Sequence, residues 1–334
     1  MDRQGRVRWG VLGTANIARV SFLPGLREAG GGIAVAVAGR ERARTETYAA
    51  ENGVERAVAS YEALLADPDI DAVYNPLPNS LHAEWTIRAL EAGKAVLTEK
   101  PLCVSPVETE RVLAAARVPG RLLWEAFVFP FQPQFQRLRA LLAEGAIGET
   151  REIQSVFYFR LRSQENIRLR PELAGGALND VGCYPLHLAC LLFGEEPHRT
   201  QTAVRPHPGG VDVETAGLSE FSDGRLLYFG CGMDRGYDTF ARVVGTEGEI
   251  RLSHPFHPRP EDTLALCRPD RSVLIERPTR HERPFSPAIR HIHEVLRAER
   301  APEHLAVDDA LATARALEQA RRSGAPRGQG AGPG

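Results

Sequence analysis

The sequence lacks any long apolar run. No stretch approaches the roughly 18 consecutive apolar residues of a membrane-spanning helix, so that class of protein is excluded. Residues 1–6, Met-Asp-Arg-Gln-Gly-Arg, also lack the apolar core of an export signal. We therefore expect a cytoplasmic protein without a membrane partner.

Cysteines are few and unevenly spaced. There are five, an odd number, and no CxxC pair occurs, which argues against a disulfide framework or a zinc site. The close histidine pairs, His254/His257 and His291/His293, have no cysteine or carboxylate partners at metal-ligand spacing. We expect reduced thiols and no metal.

An excess of charge of either sign is also missing. Lys and Arg number 41 against 43 Asp and Glu, which gives a formal net charge of −2. This balance provides no electrostatic reason to expect a nucleic-acid partner.

What the chain does contain is a change of pattern near its middle. The first ~120 residues alternate apolar strands with helical stretches, which is typical of a parallel sheet. From about residue 150, long runs of alternating polarity predict a mainly antiparallel sheet with one face in water. We predict an α/β protein with a parallel-sheet domain at residues 1–124, an α+β domain with a mostly antiparallel sheet at 125–323, and a disordered tail at 324–334.

Individual elements follow from the same patterns. Residues 16–28 predict a helix that Pro24 bends or interrupts, and Ser105 is predicted to cap a helix that runs to residue 117. The predicted strands lie at residues 7–12, 33–38, 70–74, 95–98, 122–124, 153–162, 215–221, 225–230, 241–245 and 249–252. Further helices are predicted at residues 42–51, 61–66, 81–92, 131–144, 181–193, 288–298 and 308–321.

A glycine-bearing turn follows the first predicted strand. Gly13 permits a tight turn, after which the next amides and a helix N-terminus can bind a pyrophosphate. Ala18 occupies the third position of the dinucleotide fingerprint, and Ala15 departs from glycine at the second. An ordinary strand-to-helix turn is the alternative. The predicted cofactor contacts here are Gly13, Thr14, Ala15, Asn16 and Ile17.

The end of the second strand predicts which dinucleotide binds. NAD enzymes usually carry an acidic residue there, but this chain has Gly39-Arg40, with Arg44 nearby. Arginine suits a 2′-phosphate, and glycine leaves room for it. We predict NADP(H), with NADPH bound more tightly than NADH. Alternatively, these arginines are solvated residues at the start of a helix.

Glu99-Lys100-Pro101 follows a later strand, at the sheet edge where such folds bind ligands. A lysine there can donate a proton to the oxygen of a ketone as hydride arrives, and its charge stabilises the developing oxyanion. We expect partial burial to lower the pKa of Lys100. A surface lysine in a turn is the alternative.

A second group lies at the Gly175-Gly176 loop and the apolar helix after it. Asp180 is a candidate partner for Lys100, or a simple helix cap. Tyr184 is predicted to orient substrate or relay a proton, unless it is a core residue with a wet hydroxyl. Arg168 contacts phosphate or substrate, or is a surface charge.

These motifs together resemble the Gfo/Idh/MocA oxidoreductase family over about residues 6 to 322. The resemblance rests on Gly10-Val11-Leu12-Gly13, Leu77-Pro78-Asn79 with His82, Glu99-Lys100-Pro101, and Gly175-Gly176 with Asp180 and Gly182. It implies that residues 1–124 form a Rossmann dinucleotide-binding domain. Residues 125–323 would then form an open-faced, mostly antiparallel sheet domain that provides substrate contacts and the surface of a homodimer or homotetramer.

Within the family, Tyr184-Pro185 and Glu125-Ala126-Phe127 resemble the branch that contains dihydrodiol and aldose dehydrogenases and deoxysugar 3-ketoreductases. Ala15 and Gly39-Arg40 are most similar to the NADPH-dependent 3-ketoreductases of dTDP-linked keto-deoxysugars in antibiotic pathways. By that resemblance, Lys100 donates the proton to the C3 oxygen and Tyr184 contacts the sugar. The resemblance also implies that Tyr61, Leu77, His82, Glu99, Arg168 and Asp180 line the cofactor.

Two other functions remain open at this point. An NADP-dependent dehydrogenase of free aldoses or trans-dihydrodiols would use the same residues. Arg160, Arg162 and Arg168 would serve a substrate diphosphate, or simply occupy an exposed strand face. A cofactor-bound regulator without catalysis is the third possibility, and the intact Glu99-Lys100-Pro101 argues against it.

Overall fold

A computed structural model of the protein describes residues 1–277 and 282–324. Its first sheet has six parallel strands within those residues, in the order β3-β2-β1-β4-β5-β6. The strands are β1 (Val7–Leu12), β2 (Gly32–Ala38), β3 (Arg56–Val58), β4 (Ala72–Asn75), β5 (Ala95–Thr98) and β6 (Leu123–Glu125). The strand order reverses between β1 and β4, and ligands bind at such a switch point.

Helices cross over between these strands. Pro24 has no N–H to donate, and the segment after β1 is divided accordingly into a π-helical turn, Ala18–Phe22, and an α-helix with Pro24 in its first turn. The side chain of Ser105 accepts from the Glu108 N–H at 3.2 Å, which confirms the predicted cap. The helices are α1 (Leu23–Ala29), α2 (Arg42–Asn52), α3 (Tyr61–Ala66), α4 (His82–Glu91) and α5 (Pro106–Ala116).

The second sheet has eight strands in the described residues, in the order β14-β13-β12-β11-β7-β10-β9-β8. Only the β7–β10 pair is parallel among these neighbours. The strands are β7 (Thr150–Arg160), β8 (Arg199–Pro206), β9 (Asp212–Glu220), β10 (Leu226–Gly232), β11 (Asp234–Gly245), β12 (Gly248–Ser253), β13 (Leu264–Cys267) and β14 (Val273–Glu276).

Four more helices complete the described chain: α6 (Pro133–Ala143), α7 (Cys183–Phe193), α8 (Ser286–Leu296) and α9 (Ala306–Gly324). The apolar helix α7 is buried against the inner face of the second sheet. Helix α8 instead packs on α1, where Phe22 and Phe285 meet edge to face at 6.1 Å. The predicted boundary at residue 124 stays a prediction, but α8 belongs to the core of the first sheet.

The predicted fold class is confirmed: a parallel Rossmann-type sheet precedes a mostly antiparallel one. The sequence patterns missed the short strands β3, β13 and β14 as well as β8. Of the predicted disordered tail, Gly324 is the last residue of α9, and residues 325–334 lie outside the described residues. Among the helices of the described ranges, none has the length and apolarity to cross a membrane. The predicted cytoplasmic location stays a prediction.

Candidate active site

A cleft of about 1020 Å³ lies between the carboxyl ends of the first sheet and the inner face of the second. Of the predicted site residues, His82 alone does not line it. Those that do are Gly13, Thr14, Ala15, Asn16, Ile17, Gly39, Arg40, Tyr61, Leu77, Glu99, Lys100, Arg168, Asp180 and Tyr184.

The turn after β1 forms one wall of the cleft. Gly13 has φ +83°, a conformation that glycine adopts without strain, and a Cβ atom there would lie 3.0 Å from Leu77 Cδ2. Ile17 presents a 37% exposed apolar side chain to the cleft. A tight backbone turn, followed by an apolar side chain facing a cleft, fits a dinucleotide at this wall.

The end of β2 continues this wall. A Cβ atom on Gly39 would lie 2.3 Å from Thr45 Oγ1, so this position accepts only glycine without rearrangement. Arg40 and Arg44 are exposed on the cleft, and neither forms an ion pair within the described residues. Arg42, by contrast, pairs with Glu46 at 2.8 Å. Two unpaired guanidinium groups at this position fit the 2′-phosphate of NADP(H).

Lys100 lies at the meeting point of the two sheets. Its Nζ atom donates to the backbone oxygen of Asp180 at 2.5 Å and lies 3.3 Å from Asp180 Oδ1. Arg168 Nε donates to the other carboxylate oxygen, Oδ2, at 2.6 Å. Because the side chains of Lys100 and Asp180 are only 12% and 14% exposed, their ion pair is screened little by water, whereas the Arg168 side chain is 39% exposed.

The charges of Lys100, Asp180 and Arg168 set the direction in which each shifts the pKa of its neighbours. Burial disfavours the ammonium of Lys100, but the Asp180 charge outweighs it and raises the pKa of Lys100 above its ordinary value. Our expectation of a lowered pKa was therefore wrong. Burial also opposes ionisation of Asp180, yet Lys100 and Arg168 lower its pKa to about 2. The site holds a charged ammonium beside a charged carboxylate.

Tyr184 lies beside Lys100, in the first turn of α7. The Lys100 ammonium lies 5.1 Å from the centre of the Tyr184 ring, so the ring rather than the hydroxyl faces the lysine. The hydroxyl lies 3.5 Å from His257 Nε2. Burial raises the pKa of Tyr184 and lowers that of His257 to about 4, so the phenol and the imidazole are both neutral near pH 7.

Glu99 fixes the backbone beside Lys100. The Tyr74 hydroxyl donates to Glu99 Oε1 at 2.6 Å, and the Lys100 N–H donates to Oε2 at 3.3 Å. Burial raises the pKa of Glu99. The Lys100–Pro101 peptide bond that follows is cis.

His82 is fully buried beneath the cleft. Its Nδ1 and Nε2 atoms each lie 2.8 Å from a backbone carbonyl oxygen, those of Pro101 and Leu77 respectively. Burial lowers its pKa to about 4, so the ring is neutral. It lies between the turn after β4 and the segment after β5, where the neutral ring can donate to one of the two carbonyl oxygens, and it does not line the cleft.

Several cleft residues were not anticipated. Phe157 and Phe159 share one face of β7, and a period of two predicts that relationship. His257 was considered only as a metal ligand, and Tyr237 not at all. No local signal identifies either of these two, because their contacts with Tyr184 and Phe157 are made across the fold.

Comparisons with known proteins agree with this architecture. A family model described as "Oxidoreductase family, NAD-binding Rossmann fold" matches residues 7–127, and one described as "GFO/IDH/MocA C-terminal domain" matches residues 135–251. The chain is 41% identical over 273 residues to the dTDP-3,4-didehydro-2,6-dideoxy-alpha-D-glucose 3-reductase of Streptomyces violaceoruber, covering 79% of this chain and 78% of that one.

A second sequence relative and a solved structure are also similar to this chain. The chain is 38% identical over 259 residues to the D-xylose 1-dehydrogenase (NADP(+)) 2 of Haloferax volcanii, covering 77% of this chain and 79% of that one. Its fold matches the crystal structure of KijD10, a 3-ketoreductase from Actinomadura kijaniata in complex with NADP and TDP-benzene. The TM-score is 0.86 at 32% identity, covering 95% of this chain and 98% of that one. The chain belongs to the Gfo/Idh/MocA oxidoreductase family.

Proposed function

We propose that the protein is an NADPH-dependent reductase of the C3 keto group of a dTDP-linked keto-deoxysugar, in a deoxysugar pathway of antibiotic biosynthesis. The observation that carries the proposal is the buried Lys100 ammonium, which lies where the cofactor wall meets the second sheet. The 41% identical Streptomyces violaceoruber reductase and the KijD10 complex with TDP-benzene support the substrate class.

The residues of the first sheet would hold the cofactor. The turn from Gly13 to Ile17 would bind the pyrophosphate, and Arg40 with Arg44 would bind the 2′-phosphate. When bound, NADPH supplies the hydride that reduces the keto carbon. Tyr61, Leu77 and Glu99 would form the remaining contacts with this cofactor.

Lys100 would donate the proton that the new hydroxyl group requires. Its ammonium points toward Asp180 in this structure, and the positive charge would stabilise the oxygen as negative charge develops on it. Tyr184 would orient the sugar, because within the described residues its neutral hydroxyl has one hydrogen-bonding neighbour, His257 Nε2, at the long distance of 3.5 Å. Arg168 would keep the Asp180 carboxylate directed at Lys100.

A second candidate is an NADP-dependent dehydrogenase of free aldoses or trans-dihydrodiols. The 38% identity to a D-xylose 1-dehydrogenase favours it, and the same Lys100 would then act as the base. The raised pKa of Lys100 keeps it as the ammonium, the form that donates a proton in reduction, whereas oxidation would require the lysine to lose that proton first.

The deciding experiment follows the nicotinamide absorbance in both directions. NADPH oxidation with a dTDP-linked 3-keto-deoxysugar, at an ordinary turnover of ~1–10³ per second, is expected. NADP⁺ reduction by free aldoses or dihydrodiols at such a rate, with no activity on the nucleotide sugar, would favour the second candidate. Turnover with either substrate dismisses a purely regulatory role.

We also propose a homodimer or homotetramer. Strand β14, at the edge of the second sheet, exposes 54% of Val273, 40% of Leu274 and 60% of Ile275. A partner that covers such apolar residues removes them from water. Light scattering on the purified protein measures the oligomeric state.

A further inference from the structure

Three aromatic rings lie in contact with one another, in a row that begins beside Lys100 and continues over the second sheet. The Lys100 ammonium lies 5.1 Å from the centre of the Tyr184 ring, and the Tyr184 and Phe157 centroids are 5.3 Å apart. Phe157 in turn meets Tyr237 edge to face at 6.2 Å. We call Tyr184, Phe157 and Tyr237 the aromatic row. All three rings line the cleft, so the aromatic row forms the part of its wall that begins beside Lys100.

A second cation stands at the far end of the aromatic row. The guanidinium carbon of Arg259 lies 5.0 Å from the centre of the Tyr237 ring, and Tyr237 itself is 46% exposed. Arg259 is exposed, and it forms no ion pair with any carboxylate in the described ranges. A cation on an aromatic face is fixed in place without losing its capacity for an anion.

The buried Asp262, which is 3% exposed, anchors the loop that carries Arg259. The Asp262 carboxylate accepts the Arg259 N–H at 2.5 Å and lies 2.6 Å from His254 Nδ1. The His254 ring also stacks on Tyr237, at 5.6 Å between centroids. Because both the backbone and the side chain of Arg259 are anchored, little ordering is required when an anion binds.

The position of Arg259 relative to the reacting centre limits what it can bind. His257 lies beside Tyr184, and Arg259 follows two residues later, at most about 7 Å further along the backbone. The aromatic row therefore separates a proton donor from an anion-binding cation by roughly the space of one sugar. The sequence suggested Arg160, Arg162 and Arg168 for this role, but Arg168 is already bonded to Asp180. Arg160, Arg162 and Arg259 all lie outside the lining of the cleft, but Arg259 is held over Tyr237, a ring that does line it.

We propose that Arg259, held on Tyr237, binds the diphosphate of a nucleoside-diphosphate sugar, while the aromatic row contacts the sugar whose keto group faces Lys100. This subsite rests on the proposed function and deepens it by locating the part of the substrate that a free aldose lacks. Guanidinium groups bind phosphate oxygens through paired, charge-assisted hydrogen bonds.

The test is calorimetric titration of the full-length protein, preloaded with NADP⁺, with dTDP. Arg259→Gln is expected to weaken dTDP binding roughly 10-fold to 100-fold, the usual effect of losing charge-assisted hydrogen bonds. Thymidine, which lacks phosphate, is expected to bind both proteins equally. Arg268→Gln removes a charge from another exposed, unpaired arginine of the same sheet, and is expected to bind dTDP like the unaltered protein.

The outcomes separate this subsite from the proposed function. Unchanged dTDP affinity in Arg259→Gln, or a loss in Arg160→Gln instead, overturns the subsite and leaves the proposed function standing. A parallel loss of NADP⁺ affinity in Arg259→Gln would assign the residue to the cofactor, and also overturns it. No dTDP binding by the unaltered protein contradicts both the subsite and a nucleotide-sugar substrate.

Discussion

Lys100 contacts Asp180 twice, through the backbone oxygen at 2.5 Å and through the carboxylate at 3.3 Å. The lysine follows β5 of the first sheet, and the aspartate belongs to the π-helical turn Leu178–Gly182 before α7. Residues 80 positions apart thus form one charged pair across the cleft. The geometry of Lys100, the proposed proton donor, depends on both halves of the molecule.

Replacing Lys100 by Met should reduce turnover by roughly 10²–10⁴, because the reaction loses its general acid. Asp180 retains Arg168 as a partner, so the fold and the cofactor wall should persist. Single-turnover NADPH oxidation measures the loss, and fluorescence titration measures NADPH affinity. Full turnover in Lys100→Met would contradict the assigned role.

Replacing Asp180 by Asn should move the alkaline limb of the kcat/KM profile for reduction to lower pH. The Asp180 charge raises the pKa of Lys100, and only the protonated lysine can donate. Without that charge, Lys100 loses its proton at a lower pH. The control is Asp234→Asn, which neutralises an exposed partner of Arg205. An unmoved alkaline limb in Asp180→Asn would refute the electrostatic coupling.

Replacing Arg40 and Arg44 together by Ala should weaken NADPH binding about 10-fold to 100-fold and leave NADH binding unchanged, since only NADPH carries the 2′-phosphate. Arg42→Ala is a matched control at the start of the same helix, because Arg42 is paired with Glu46. Dissociation constants for both cofactors provide the measurement. Equal losses for NADPH and NADH would show that the two arginines contact another part of the dinucleotide.

Replacing Glu125 by Gln should remove a pH dependence of stability. Glu125 accepts the Leu102 N–H at 2.7 Å, and burial raises its pKa to about 8. The folded state therefore binds this proton more tightly than the unfolded state, and stability falls as pH rises from about 4.5 towards 8. Urea unfolding at pH 5 and pH 8.5 should show a smaller difference for Glu125→Gln. An identical difference would mean that Glu125 ionises normally.

Sequence patterns brought the residues proposed to bind the cofactor to one wall of the cleft, because the signals that identify them are local. The turn at Gly13 and the strand end at Gly39 each depend on a few adjacent residues. Lys100 was also located, since the carboxyl ends of parallel strands meet at one edge of a sheet.

The part of the cleft around Tyr184 and His257 was harder to predict, because the contacts between its residues join distant segments of the chain. Tyr184 and His257 are 73 residues apart, and neither shows in its own neighbourhood that the other is close. His82 follows a strand that was predicted correctly, but its ring lies buried between two backbone carbonyl oxygens. Tertiary packing decides this orientation of the ring. The raised pKa of Lys100 likewise required the distance to Asp180.

Helix α8 limits how the two halves of this chain can be exchanged or separated. A Cβ atom on Gly25 of α1 would lie 2.8 Å from the Cβ of Phe285, and the Ser286 hydroxyl donates to the Gly25 oxygen at 3.3 Å. A fragment that ends after β6 would uncover this face of α1 and the turn before it, including buried Leu26 and Phe22. A transplantable cofactor module must therefore include α8 from the far end of the sequence, and recombination at a single crossover point would pack α1 of one parent against α8 of the other.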